Sequence, residues 1–509
     1  MAASGNRLSA TGSSRDAARR HPFRRSRSRP WVRGRQASAS GHRQQRRGQR
    51  DRGTTGSRGS HRGSRDIERL AYLCVPGPVA GCRNGARSDE AISLTLARLA
   101  PDQLLAALAG REANGSLYFV LLSVWRLLGE GEARIRFLSV VFAAATIPLL
   151  YLVGRRHVGA TAAALGCALF AVSPFVIEFA QEARMYTLAM LLTTAAILAW
   201  SFATESDRPR WWVAYTVISV AAIYTHFFCG FVVLGLGMTW LLGAVTRTRS
   251  GLVAQAGVIV AALPLAAFVA LSGFNQISWI LPIREAGVSA VLGAFAAGSV
   301  LLAVVLYAAA LVAIPTRDPD RRRRLAPLIA WWLTPLVMGI GISFFRSLLE
   351  GRYFIVALPA LLLLASAGCV RVGTTIARAR GGTMAGVVAF AVVLALSGGP
   401  LLAWYEAPRF DWRAAAGWVA RSIEPGDRLA YVPDKARIPM QLYLDRYSDR
   451  SPVDATIDDL RAMPHRAWLV LCLVRGVRYD GLGATLPGYR VVESKAFDGV
   501  RVQLIERPG

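Results

Sequence analysis

The chain of 509 residues is 53% hydrophobic and carries a formal net charge of +28. Long apolar runs in a chain of this length favour a polytopic membrane protein over a set of soluble domains. The basic excess does not indicate a nucleic-acid-binding protein, because residues 1–66 alone contribute +15 and the remaining arginines lie largely in loops between apolar segments. The six cysteines include no CxxC pair and no metal-ligand spacing.

Residues 1–66 form an arginine-rich segment with 18 Arg, three Asp and almost no apolar residue. Such a composition cannot bury enough surface to offset chain entropy, so we predict disorder, with RNA or anionic lipid as the ligands it could take. Residues 66–88 fall short of the ~20 apolar residues that a spanning helix needs. We therefore hypothesise that residues 1–88 arise from a wrong start or a shifted reading frame that replaces an authentic first helix.

Residues 67–134 are predicted to be an outer loop that contains the adjacent acids Asp89 and Glu90. Ser88 or Asp89 could simply cap the N-terminus of a helix. The apolar stretch 115–129 is too short to span, and counting it as a span would reverse the sidedness of every later loop. We predict that it is an interfacial helix lying along the membrane.

Residues 135–403 contain ten apolar segments of roughly spanning length. They are 135–153, 159–177, 187–203, 211–225, 227–245, 252–272, 288–314, 326–345, 353–371 and 383–403. Alternate loops between them hold 13 arginines, and the positive-inside rule predicts that these loops are cytoplasmic. The opposite loops are sparse in arginine, so we expect them on the outer face, together with the residues before 135 and after 403.

Polar side chains interrupt the apolar pattern at three of the outer loops. They are Glu182, Arg184 and Tyr186 in QEARMY, His226 in YTHFF, and Arg352 and Tyr353 in RYFIVALPAL. Each has an ordinary explanation when taken alone, since Glu182 and Arg184 can neutralise one another and a lone histidine is usually structural. Their shared sidedness favours a site, because ionisable groups near membrane depth are costly and usually functional.

The residue types at this face indicate a particular chemistry. Two adjacent carboxylates suit a general base that acts on a hydroxyl group. Arginines on the outer side, where the positive-inside bias disfavours them, suit a phosphate that accepts paired hydrogen bonds. Together they point to the transfer of a group from a lipid-linked phosphate.

Residues 404–509 have the composition of a small soluble domain. The stretch from Asp411 to Pro433 predicts an amphipathic helix, a Pro-Gly-Asp turn and a strand. AWLVLCLV predicts a buried strand, and the last twenty residues predict a terminal hairpin. We expect a small α/β domain on the outer face.

The blocks DEA, LYFVLLSVWRLLG, QEARMYTLAMLL, YTHFF and RYFIVALPALLLL follow one another over roughly 88–405. In this order they resemble bacterial membrane glycosyltransferases of the GT-C type, in the family 39 group related to protein O-mannosyltransferases and the lipid A aminoarabinose transferase. The resemblance implies an all-α polytopic membrane domain of about 10–11 spans with a small C-terminal α/β domain. It also implies a multi-pass protein of the bacterial inner membrane, with its active site and C-terminal domain extracytoplasmic.

The resemblance further implies the inverting transfer of a hexosyl or pentosyl group from a polyprenyl-phosphate donor to a hydroxyl of an envelope protein, glycan or lipid. Asp89 would be the base, and Glu90 would orient or assist. Arg184 and Arg352 would hold the leaving lipid phosphate, while the pocket would be shaped by Glu182, Tyr186, His226 and Tyr353. Membrane lipids are expected partners and nucleic acid is not. No cofactor is certain, although Asp89 and Glu90 could hold a divalent cation.

Two features depart from the family pattern. Asn114-Gly115-Ser116 stands where relatives commonly carry His-Pro-Pro, and no first helix is expected from residues 66–88. Two other functions therefore stay open. A transporter or flippase of lipid-linked precursors would use the charged outer loops as a gate, although the span interiors are nearly free of ionisable residues. A scaffold for envelope assembly would carry a degenerate site.

Overall fold

The computed structural model describes residues 86–507, apart from gaps at 111–113, 273–279, 281–282, 381–383, 407–409, 448–452, 457–458, 460–465 and 473–487. The disorder predicted for residues 1–66 lies outside the described residues, and so does all but residues 86–88 of the segment 1–88 for which we hypothesise a wrong start or a shifted reading frame. Asp89 lies in a described helix, but its side chain also falls outside the description.

The described part of the segment predicted as an outer loop, residues 86–134 apart from 111–113, is largely helical. It contains α1 (Ala86–Arg98), α2 (Pro101–Gly110) and α3 (Ser116–Trp125), and α3 continues as a 3₁₀ turn to Leu128. Ten residues of α-helix cover only about 15 Å, half the thickness of a bilayer core. The length of α3 therefore agrees with our prediction of an interfacial helix, whose position in a membrane stays a prediction.

The helical domain continues through the apolar segments. Its helices are α4 (Glu132–His157), α5 (Ala160–Val172), α6 (Pro174–Ala180), α7 (Tyr186–Ser206), α8 (Pro209–Thr225), α9 (Phe228–Leu241), α10 (Arg249–Ser272), α11 (Ile283–Ala294), α12 (Val300–Ala313), α13 (Pro319–Ser343), α14 (Leu358–Arg380) and α15 (Met384–Glu406). Among the described residues, five helices are long and apolar enough to cross a membrane, or six if a bent pair counts as one span. The all-α polytopic domain is confirmed, whereas the count of ten spans stays a prediction because several of the predicted segments form shorter helices.

Two segments that we predicted as continuous spans are broken. The segment 159–177 bends by 57° between α5 and α6, because Pro174 has no N–H with which to continue the hydrogen-bond ladder. The segment 288–314 divides into α11 and α12 at Ala297 and Gly298, which both have positive φ angles. The first break has a functional consequence, since the short helix α6 leads directly into the turn that carries Glu182 and Arg184.

Helix α14 lies at the centre of the helical domain. The 3₁₀ helix Gly351–Ala357 leads directly into α14. In the most apolar stretch of this combined segment, 94% of the residues are buried, whereas the corresponding value for α10 is 17%. Gly368 in α14 approaches α12 so closely that a Cβ atom there would overlap the carbonyl oxygen of Ala309. The apolar surface of α10 is exposed instead, as expected for a helix that faces lipid.

The C-terminal domain is a five-stranded sheet with two helices. Its elements are α16 (Trp412–Ser422), β1 (Arg428–Val432), α17 (Arg437–Tyr447), β2 (Val453–Ala455), β3 (Arg466–Cys472), β4 (Arg490–Phe497) and β5 (Val500–Glu506). The strand order is β2-β1-β3-β5-β4, with β1 parallel to both neighbours and β5 antiparallel to both of its own. The predicted helix–turn–strand, buried strand and terminal hairpin are confirmed, whereas α17 and β2 went unpredicted.

The C-terminal domain contacts the helical domain at the start of the described chain. Helix α17 packs against α1. Glu132, the first residue of α4, accepts hydrogen bonds from Arg413 at 3.0 Å and from the Tyr443 hydroxyl. The same corner contains a cavity of about 40 Å³, whose lining includes Glu90, Glu132 and Tyr443. The C-terminal domain thus packs against the helix that contains Asp89.

Candidate active site

Glu90 ties helix α1 to two other elements. Arg136 of α4 donates from Nε to Glu90 Oε1 at 2.8 Å and from Nη2 to Oε2 at 2.7 Å. The backbone N–H of Ala183 donates to Oε1 at 3.0 Å. Both oxygens of this carboxylate are therefore engaged, so its geometry suits orientation of the neighbouring Asp89 better than proton transfer.

The turn between α6 and α7 contains Arg184, which contacts α1. Its guanidinium Nη1 donates to Ser93 Oγ at 3.4 Å, and its carbonyl oxygen accepts from Ser139 Oγ of α4 at 3.5 Å. Glu182, two residues earlier, is buried. The 181–185 turn thus contacts both helix α1 and helix α4. This contact brings the Asp-Glu segment and the QEARMY segment together, as the sequence predicts.

Three rings from distant segments pack together next to this turn. The ring centroid of His226 lies 5.8 Å from that of Tyr186 and 5.2 Å from that of Tyr353. Tyr186 also packs against Phe179 of α6, at 4.8 Å. All three polar rings are buried, so they form a wall inside the helical domain and are not part of a solvated loop.

Arg352 adds a second cation to the site. It is the second residue of the 3₁₀ helix before α14, is 8% exposed, and places its Nε 3.3 Å from Glu350 Oε1. Arg184 and Arg352 both lie within electrostatic range of Tyr186 and His226. The structure therefore brings together the six residues to which the sequence pointed as pocket or phosphate ligands: Glu182, Arg184, Tyr186, His226, Arg352 and Tyr353.

The environment of His226 keeps its imidazole neutral. This residue follows α8, outside the spanning helices, and its side chain is 1% exposed. Burial lowers the pKa of His226 to about 3, and the positive charges of Arg184 and Arg352 act in the same direction. A neutral imidazole retains one N–H donor at physiological pH.

Asn114 is a site residue that sequence reasoning treated only as a departure. Its side-chain oxygen accepts from the backbone N–H of Phe227 at 3.2 Å, and so fixes the turn that presents His226. Gly115 follows with a φ of 98°, a left-handed conformation that proline cannot adopt. The replacement of His-Pro-Pro thus has a local structural role of its own.

Arg136 is a second residue that the sequence analysis missed. It lies in the second turn of α4, within the segment 135–153 that the sequence predicts as a span. The signal was available, because an arginine at the outer end of a span opposes the positive-inside bias. Its two bonds to Glu90 explain why it lies there.

Metal binding at the Asp-Glu pair has no support beyond the sequence. Among the described side chains, no group of three or more His, Cys, Asp or Glu residues is placed to hold a metal ion. Because the Asp89 side chain is not among them, the divalent cation that Asp89 and Glu90 could hold stays a prediction.

The comparisons with known proteins agree with this architecture. Residues 116–273, which run from α3 through α10, match the family model described as dolichyl-phosphate-mannose-protein mannosyltransferase. The structure of ArnT from Cupriavidus metallidurans in the apo state aligns with 88% of this chain and 97% of its own, at 16% identity and a TM-score of 0.51. The chain has a GT-C type fold. Our recognition of the mannosyltransferase and aminoarabinose transferase group is thereby confirmed.

Two further structures are similar at lower scores. ArnT from Cupriavidus metallidurans bound to undecaprenyl phosphate is 16% identical, with coverage of 88% of this chain and 97% of that chain and a TM-score of 0.48. The arabinofuranosyltransferase AftD from Mycobacteria is 15% identical, with coverage of 88% and 40% and a TM-score of 0.44. No curated protein matches this sequence.

Proposed function

We propose that this GT-C protein is a membrane glycosyltransferase that moves a sugar from a polyprenyl-phosphate donor to a hydroxyl group of an envelope acceptor. The observation that carries the proposal is that Arg184 and Arg352 both lie near the buried rings of Tyr186 and His226, while Arg184 also contacts the helix that contains Asp89. Two guanidinium groups in a mostly apolar setting suit a phosphate. The family matched by residues 116–273 takes its name from a lipid-phosphate-linked sugar, which supports the same donor class.

In the mechanism that we propose, Asp89 is the general base. The acceptor oxygen forms a bond to the anomeric carbon while its proton moves to the Asp89 carboxylate. The bond between that carbon and the phosphate oxygen breaks, and its electron pair leaves with the phosphate. Attack from the face opposite the leaving group inverts the anomeric centre. Glu90, held by Arg136 and Ala183, orients α1 so that Asp89 faces the acceptor.

The arginines would act on the leaving group. The phosphate becomes more negative as the glycosidic bond breaks, and fixed cations stabilise that developing charge most strongly where water is excluded. Arg352 is buried and Arg184 is half-buried, so both meet this condition. In this proposal the protein lies in the bacterial inner membrane, with the site and the C-terminal domain on the extracytoplasmic side.

Incubation of the purified protein with labelled polyprenyl-phosphate hexoses and pentoses and an envelope fraction tests the proposal. We expect transfer from one donor class, and Asp89→Asn to slow it by about 10²–10⁴-fold, the usual contribution of a general base. Asp102→Asn is a matched control, because Asp102 is an exposed carboxylate in the first turn of α2. Equal transfer by wild type and Asp89→Asn would remove Asp89 from the mechanism. A lack of transfer from every donor would favour the transporter or scaffold alternatives.

A further inference from the structure

On two adjacent aromatic rings of the site, a buried polar atom has no hydrogen-bond partner among the described residues. These atoms are the hydroxyl oxygen of Tyr186 and Nε2 of His226. Both side chains are 1% exposed, and their ring centroids are 5.8 Å apart. Buried donors are nearly always paired, because an unpaired one costs stability. Two unpaired groups on adjacent rings therefore point to one ligand that supplies acceptors to both.

The backbone determines which nitrogen of His226 carries the proton. The N–H of Phe228 donates to Nδ1 at 3.2 Å, so Nδ1 is an acceptor and the neutral ring carries its hydrogen on Nε2. The rings of Tyr353 and Phe228 pack edge-on against the imidazole, with centroid distances of 5.2 Å and 5.7 Å. Nε2–H is thus a fixed donor and not a free rotor.

The surrounding charge selects the kind of acceptor. Arg184 and Arg352 lie within electrostatic range of both unpaired groups. Two neutral donors alone would accommodate a carbonyl or a hydroxyl, but two nearby cations favour an anion. A phosphate has oxygens on every side and only accepts hydrogen bonds at neutral pH, so it can engage all four groups at once.

We propose that the Tyr186 hydroxyl and His226 Nε2–H donate hydrogen bonds to the phosphate oxygens of the lipid-linked sugar donor, and that these bonds strengthen as the phosphate leaves. This inference rests on the proposed function. When the bond between the anomeric carbon and the phosphate oxygen breaks, its electron pair adds one negative charge to the phosphate. Donors already aimed at those oxygens then stabilise the transition state more than the ground state, which raises kcat more than it lowers KM.

Binding of a synthetic polyprenyl phosphate to the purified protein tests the inference independently of turnover. We expect Tyr186→Phe and His226→Leu each to weaken binding about 10-fold, the usual effect of losing a hydrogen bond to a charged group. His226→Gln, which can present an N–H, should weaken it less. Tyr215→Phe is the matched control, because Tyr215 is a buried tyrosine outside the cluster whose hydroxyl donates to Gln255. It should bind as the wild type does.

Two further ligands identify the source of the phosphate. The polyprenyl alcohol lacks the phosphate and should bind weakly, and inorganic phosphate lacks the lipid and should compete only at far higher concentration. Equal binding of the alcohol and the phosphate would overturn the inference. Equally tight binding of inorganic phosphate would overturn the assignment to a lipid-linked ligand.

The failure of this inference can be separated from the failure of the proposed function. If the wild type binds polyprenyl phosphate and transfers sugar while Tyr186→Phe and His226→Leu bind equally well, the inference fails and the function stands. If the wild type neither binds the lipid nor transfers sugar, both fail. Thermal unfolding of each variant in detergent identifies misfolding, and Tyr186→Phe removes only one oxygen atom. Support for the inference also requires that kcat falls more than KM rises in that variant.

Discussion

At the scale of single residues, the pairing of Glu90 with Arg136 distinguishes the roles of two adjacent acids. Glu90 is 14% exposed at its side chain and Arg136 is 27% exposed, so neither charge is fully solvated. A partly buried carboxylate that accepts from a guanidinium and a backbone amide is held in one orientation. We therefore propose that Glu90 is a positioning residue, whose effect on catalysis should pass through the placement of α1.

A double-mutant cycle on this pair tests that role. We expect Glu90→Gln and Arg136→Gln each to lower kcat with little change in KM, and the cycle to give a coupling free energy of about 1–3 kcal/mol in thermal or chemical unfolding. The control pair is Arg156 and Glu205, which are 2.9 Å apart at a more exposed position and should couple by less than about 1 kcal/mol. A change in KM alone would contradict a positioning role.

The buried imidazole of His226 should make stability depend on pH. Because its pKa is lowered to about 3 in the folded state, the unfolded chain binds more protons between that value and the ordinary pKa of about 6.5. The contribution of the neutral His226 to the free energy of unfolding is therefore fully present above pH 6.5. It decreases as the pH falls through this window, by about 2 kcal/mol at pH 5. We expect His226→Gln to flatten the decline of Tm between pH 6.5 and pH 5. A decline of the same steepness in the variant would refute this account.

At the scale of secondary-structure elements, close helix packing depends on the absence of a side chain at Gly368. The backbone of α12 occupies the space that a Cβ atom of residue 368 would need, and backbone cannot move aside as the end of a side chain can. Helices α12 and α14 must separate to admit even a methyl group. The 3₁₀ helix with Arg352 directly precedes α14, so this contact also supports the site.

Overpacking usually costs about 1–3 kcal/mol of stability. We expect Gly368→Ala to cost at least the upper end of that range and to lower the yield of the protein in detergent. Gly398→Ala is a matched control, because Gly398 is also within a helix, α15, and a Cβ atom there would meet nothing within 4 Å. That substitution should be neutral or slightly stabilising. Thermal unfolding of the two variants side by side gives the comparison, and equal midpoints would show that α12 and α14 yield more easily than the packing implies.

At the scale of the whole molecule, the arginine distribution and the position of the C-terminal domain predict which end of the protein faces the outside of the cell. Arg413 and Tyr443 of that domain contact Glu132 at the start of α4, and α17 packs against α1. The C-terminal domain therefore lies at the same end of the helical domain as the candidate site. The arginine-rich loops that include Arg317 should lie at the opposite end.

Cysteine labelling in intact cells checks this arrangement. We expect Glu493→Cys on the exposed face of β4 to react with a membrane-impermeant maleimide added from outside. Arg317→Cys, which is also exposed, should react only after the membrane is permeabilised. The wild type supplies the background, because its described cysteines, Cys167, Cys229, Cys369 and Cys472, are buried. The opposite labelling pattern would reverse the proposed orientation.

Features that depend on local composition could be predicted from the amino-acid sequence alone. Apolar runs located the helices, arginine bias gave an expected sidedness, and alternation of side chains located the buried strand and the terminal hairpin. The sequence also marked Arg184, His226 and Arg352 as unusual, because a polar residue next to a span is recognisable without knowledge of its partner. Each of these signals lies within a short stretch of residues, so it can be recognised without knowing which distant residues that stretch contacts.

How those residues act together depends on contacts that form only in the folded chain. Glu90 and Arg136 are 46 residues apart and Asn114 is 113 residues from its partner Phe227, so no periodicity links them. The burial that keeps the His226 imidazole neutral likewise depends on how distant helices pack around it. Hydrogen bonds and burial are properties of the space around an atom, and only the folded chain specifies which distant residues fill that space.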